Sequence, residues 1–76
     1  MDEDALFAMG TVLAALGGLL ERRGVCTTME LAEALGGVAM MTMESGEEYR
    51  SRAVYIGGLA NMVRAAATGA KGANQH

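Results

Sequence analysis

The sequence predicts an all-α fold, a small bundle of three main helices with helix-hairpin connections and, if the second helix is interrupted, a short extra helix at 38–44. Three observations predict it. The 76 residues contain no proline, and 51% are hydrophobic against 20% charged, too apolar for a disordered chain. Apolar residues recur three and four apart through three long stretches, the period of a helical stripe. Helix-stop and helix-start signals fall between those stretches, at Gly24, Thr27/Glu30 and Ser45/Glu48.

The first helix starts near Asp2 or Asp4, whose charges complement the helix dipole, and runs to Arg23. Leu6, Met9, Leu13, Leu16 and Leu20 form one seam, widened by Ala5, Val12 and Leu19, while Gly10, Ala14 and Gly17 form a second stripe of small residues. No charge interrupts residues 5–20. A helix apolar on nearly all sides asks for cover from outside a chain this short as well as from within. Gly24 follows Arg22 and Arg23 as a left-handed stop, with Leu20 positioned to touch Val25 across a Schellman turn.

Thr27 and Glu30 make a capping box for the second helix, and Cys26 can staple onto Leu31. Leu31, Ala34, Leu35 and Val38 supply its expected buried face. Gly36-Gly37 costs about 1 kcal/mol per residue relative to alanine, which favours a break or bend there. Ser45, Gly46, Glu47 and Glu48 read as a second capping box opening the third helix. Along that helix Tyr49, Ala53, Ile56, Ala60, Val63 and Ala67 form the seam, flanked by Leu59, Met62 and Ala66. Arg50, Gly57, Asn61, Arg64 and Thr68 lie opposite, and Thr68-Gly69 ends the helix. Residues 1–69 thus make one helical domain, followed by a small, polar, aperiodic tail at 70–76 read as disordered.

The run Thr27-Thr28-Met29-Glu30-Leu31-Ala32-Glu33-Ala34-Leu35-Gly36 resembles the first half of a helix-turn-helix unit. The resemblance implies a close helix crossing at Ala32, a turn at Gly36 and a second helix over 39–45 that enters the major groove. That second segment carries no Arg, Lys, Asn or Gln to read base edges, so the resemblance speaks for hairpin geometry. A net charge of −3 and a pI near 4.9 likewise argue against nucleic acid as a partner.

Catalytic, cofactor and metal sites are all expected to be absent. The lone Cys26 forms no intrachain disulfide, and the lone histidine is His76. Met40, Met41 and Met43 are soft donors for Cu(I), but consecutive methionines on one segment diverge, and methionine more often fills gaps or lines adaptable partner surfaces. Acidic residues before the first apolar run oppose a secretory signal, which makes the cytoplasm the expected location. Sixteen uncharged helical residues span about 24 Å, short of the roughly 30 Å of a bilayer core, which argues against a membrane span.

The expected function is therefore protein–protein association. The partner is a second copy, as a homodimer or higher oligomer, or a larger protein that this chain serves as subunit, adaptor or inhibitor. A helix-turn-helix-type DNA-binding regulator and a membrane-associated small protein are the alternatives. The first helix is expected at the centre of the bundle. Its Gly10, Ala14, Gly17 stripe would face another chain or a close crossing, and Met40, Met41, Met43, Val54, Tyr55 and Met62 are the expected partner contacts, because they lie off the internal seams.

Overall fold

A computed structural model describes residues 2–74, with side chains through Gly69. It is all-α: α1 spans Glu3–Arg22, α2 spans Thr28–Glu44, and a 3-10 turn at Glu47–Tyr49 leads into α3, Arg50–Asn74. No strand occurs among the described residues.

The boundaries of α1 and the start of α2 follow from local chemistry. Asp2 caps α1, its Oδ1 accepting from the Ala5 amide at 2.8 Å, with Glu3 and Asp4 in the first turn. At the other end Gly24 takes φ 74°, a left-handed conformation that costs glycine little. The Val25 amide donates to the Leu20 carbonyl at 2.9 Å and the Gly24 amide to that of Glu21 at 3.0 Å, the paired bonds of a Schellman turn. Three residues later the capping box opens α2. The Glu30 amide donates to Thr27 Oγ1 at 3.0 Å and the Thr27 amide to Glu30 Oε1 at 2.7 Å. The Thr28 amide reaches back to Glu21 Oε1 at 2.7 Å, tying the start of α2 to the end of α1.

Several expectations are corrected. α2 does not break at Gly36-Gly37; it continues as one helix to Glu44, so no separate helix exists at 38–44. The helix-turn-helix resemblance accordingly stops at Gly36, where its turn would fall. α2 survives its two glycines because Leu35, Gly36, Ala39 and Thr42 are partly covered, and a Cβ on Gly57 would stand 3.9 Å from Ala39 Cβ. The buried face of α2 is Thr28 and Ala32 rather than the one centred on Leu31, Ala34, Leu35 and Val38; Ala34 and Val38 are exposed. Ser45 does not cap α3. Its hydroxyl donates back to the Met41 carbonyl at 2.9 Å, and Gly46, at φ 141°, makes the turn instead, in a region of backbone space open essentially to glycine alone. α3 also passes the expected stop at Thr68-Gly69 and is helical to Asn74, whereas the side chains of the expected tail, 70–76, lie outside the described residues.

The two glycines inside α2 carry a prediction. Beyond the local helix backbone and the adjoining residues, no described atom lies within 4 Å of a Cβ built on Gly36 or Gly37. Gly36→Ala and Gly37→Ala therefore each stabilise the fold by about 0.5–1 kcal/mol through reduced unfolded-state freedom, measurable by chemical denaturation.

The centre of the bundle is α3, not α1. α3 packs most extensively on α2, less on α1, while α1 meets α2 only lightly. Met62 lies against Gly10, and a Cβ on Gly58 would stand 3.7 Å from Leu6 Cδ1, so α1 and α3 ascend together while α2 descends between them in the chain. The core consists of Ala53, Leu59, Ala60 and Val63 from α3 and Ala32 from α2. Three of these five are alanines, and Val63 is the one large side chain buried completely among the described residues. Small residues let α2 and α3 approach closely, but they remove little apolar area from water.

Candidate interaction surface

α1 is seated on α3 through Gly10 and on the start of α2 through Gly17, so its small-residue stripe takes the close crossing, one of the two places expected for it, and the larger seam is divided between interior and surface. Gly10 and Gly17 are buried inside the chain. A Cβ on Gly10 would stand 2.5 Å from Met62 Sδ and 3.2 Å from Met62 Cβ; one on Gly17 would stand 3.1 Å from Thr28 Cγ2 and 3.2 Å from Leu31 Cδ2. These glycines make the close internal crossing and are not available to another chain. Met62 is corrected with them, because its thioether fills the space over Gly10. Ala14 and Tyr55 are half-buried.

The stripe facing out is the larger one. Met9, Val12, Leu16 and Leu19 are 44%, 63%, 44% and 43% exposed, and they recur three, four and three residues apart, so they form one row along α1. Ala8 and Ala15 flank the row and are exposed as well. Thr11 is the one polar side chain in residues 5–20, and its hydroxyl is already bonded to the Phe7 carbonyl at 2.8 Å. Nothing on this face asks for water. The sequence seam joins Met9 and Leu16 to Leu6, Leu13 and Leu20, but the helix turns the first pair outward and leaves the other three half-buried.

A second apolar area lies on α2, where Met40, Met41 and Met43 are exposed as expected; Val54 on α3 is exposed too. The α2 methionines sit beside Thr42, Glu44 and Ser45, so polar groups break the area up. By continuity and by lack of charge, the outer face of α1 is the better-formed surface.

The overall dimensions agree with an incompletely covered chain. Its accessible surface is 5390 Å², where a compact monomer of 7.9 kDa would expose about 4,400 Å². Its radius of gyration is 13.2 Å, against about 11 Å for a globule of this length.

A depression of about 240 Å³ lined by Thr42, Ser45, Tyr49 and Arg52 is open and smaller than a typical ligand pocket. Arg52 lies over the Tyr49 ring at 5.2 Å, and Arg50 pairs with Glu47 at 3.4 Å on the surface. No cluster of three His, Cys, Asp or Glu side chains occurs among the described residues.

By length and composition α1 is the one helix among the described residues apolar enough to cross a membrane, with a mean hydropathy of 1.5. Its inner side is nonetheless shaped to Met62, Thr28 and Leu31 of this same chain. The architecture is a three-helix all-α bundle. Comparison with protein-family models, with curated proteins and with solved structures finds no match for this chain.

Proposed function

We propose that this protein is a helical association module, which works by joining to another protein chain through apolar surface that its own fold leaves uncovered. The observation that carries this reading is the row Met9, Val12, Leu16 and Leu19, exposed along a helix with no charge in residues 5–20. Contiguous exposed apolar surface marks interaction sites more often than it marks a finished monomer. The thin core supports the same reading, because a domain of this size is marginal unless something supplements it, and a partner is one of the usual supplements. Self-association is the simplest form, since a two-fold pair covers the same patch on both subunits at once.

Sedimentation equilibrium of the full chain at micromolar concentration tests this. The expected mass is a multiple of 7.9 kDa. A folded 7.9 kDa species at every concentration, with no affinity for hydrophobic dyes, contradicts self-association through an exposed apolar face.

A further inference from the structure

We infer that the outer face of α1 is a self-complementary seam on which a second copy of this chain docks antiparallel, as a two-fold dimer clamped at both ends by opposite charges. This inference rests on the association proposed above and gives it a surface and an orientation.

The row extends beyond its apolar part in the same register. Asp2, Ala5, Met9, Val12, Leu16, Leu19 and Arg23 follow one another at alternating intervals of three and four residues, the heptad spacing of a coiled-coil seam. Its two ends carry opposite charge. Asp2, Glu3 and Asp4 stand exposed at the start of the helix, and Arg22 and Arg23 stand exposed at its close. None of Glu3, Asp4, Arg22 and Arg23 has an ion-pair partner among the described residues.

That polarity decides the orientation. Two α1 helices side by side in parallel would bring the Asp2 and Asp4 carboxylates of both copies together at one end and their Arg22 and Arg23 guanidinium groups together at the other. Reversing one helix sets each acidic end against a basic end, and like-charge contact becomes opposite-charge contact. In the reversed pair Met9 faces Leu19 of the second copy and Val12 faces Leu16 of the second copy, giving four apolar layers around a two-fold axis. Exposed Ala8 and Ala15 beside the row let the helices approach.

Orientation is tested by disulfide trapping in full-length chains carrying Cys26→Ser, one with Met9→Cys and the other with Leu19→Cys, mixed and oxidised. The mixed disulfide, joining position 9 of one chain to position 19 of the other, should dominate. Dominance of the two like-with-like disulfides means a parallel pair and overturns the inference. So does trapping no better than that of a control cysteine introduced by Asn61→Cys, on the exposed side of α3. Leu16→Glu places a carboxylate in the central layers and should weaken the dimer on the order of 100-fold, as read by sedimentation. If the wild type is oligomeric but Leu16→Glu leaves its mass unchanged, this seam is wrong while the association stands. If the wild type is a monomer that still binds hydrophobic dyes, the two-fold dimer is wrong while association with another protein stands; a monomer that binds none removes both. Flotation of the chain with phosphatidylcholine vesicles in preference to dimer formation assigns the face to lipid and also overturns the inference.

Discussion

Val63→Asp abolishes the folded state. Among the described residues Val63 is the one large side chain with no exposed surface, on the face of α3 from which Leu59 and Ala60 also enter the core. The substitution forfeits the burial of a valine, about 1.5–3 kcal/mol, and strands a carboxylate among alanine and leucine side chains at a further cost of several kcal/mol. Domains of this length hold roughly 4–11 kcal/mol in total. Circular dichroism should show the loss of a cooperative thermal transition. Val63→Ala, losing about 2 kcal/mol, should retain the transition at lower temperature. Asn61→Asp, two residues away on the exposed side of the same helix, should shift stability by less than about 0.5 kcal/mol.

Gly17→Val has the next largest effect, and its logic is steric. A Cβ at position 17 meets Thr28 Cγ2 and Leu31 Cδ2 at 3.1 and 3.2 Å, with the Thr28 Cα behind at 3.6 Å. Thr28 has no room to retreat, because its amide is held by Glu21 Oε1 and the adjacent Thr27 caps the helix that Thr28 begins. Valine adds two further methyl groups, and overpacking of this kind costs about 1–3 kcal/mol, lowering the melting temperature by roughly 10 °C. Alanine at the same place gains about 1 kcal/mol of helix propensity, which offsets most of its tighter contact. Gly18→Ala should stabilise, since the nearest atom to its Cβ is the mobile Arg22 guanidinium at 3.6 Å. The same change to alanine, nearly neutral at Gly17 and stabilising at Gly18, separates packing from propensity.

These contrasts show where the fold was legible in the sequence. Ends that depend on local bonding were readable: α1 starts beside its acidic residues, and the Thr27/Glu30 box and the Gly24 stop both form. The α3 seam was readable too, because charged and polar residues on its opposite side give the period contrast; Ala53, Ala60 and Val63 are all buried. α1 lacks that contrast. With apolar residues on nearly every side, spacing cannot say which stripe turns inward, and the choice falls to the fit between Gly10 and Met62, residues far apart in sequence. This is why the sequence leaves Gly10 and Gly17 open between a partner and a close crossing, and reads Met62 as a partner contact although it packs on Gly10, while Met9, Val12, Leu16 and Leu19 emerge as the surface. The continuity of α2 was hidden for a related reason. The propensity cost at Gly36-Gly37 is visible in the sequence, whereas the packing on α3 that outweighs it is not. Ser45 presents a different ambiguity, since its hydroxyl can cap the next helix or bond back to the last, and Gly46 makes the turn without it.

The account rests on α1 being sheltered by another molecule, so that folding and association draw on the same free energy. Thermal unfolding followed by circular dichroism over a hundredfold range of protein concentration measures that coupling directly. For a dimer of this length the midpoint should rise by about 4 °C for each tenfold increase in concentration. A midpoint that stays constant across the range, with reversible two-state unfolding of a 7.9 kDa species, would show that the three helices stand alone and that the outer face of α1 needs no cover.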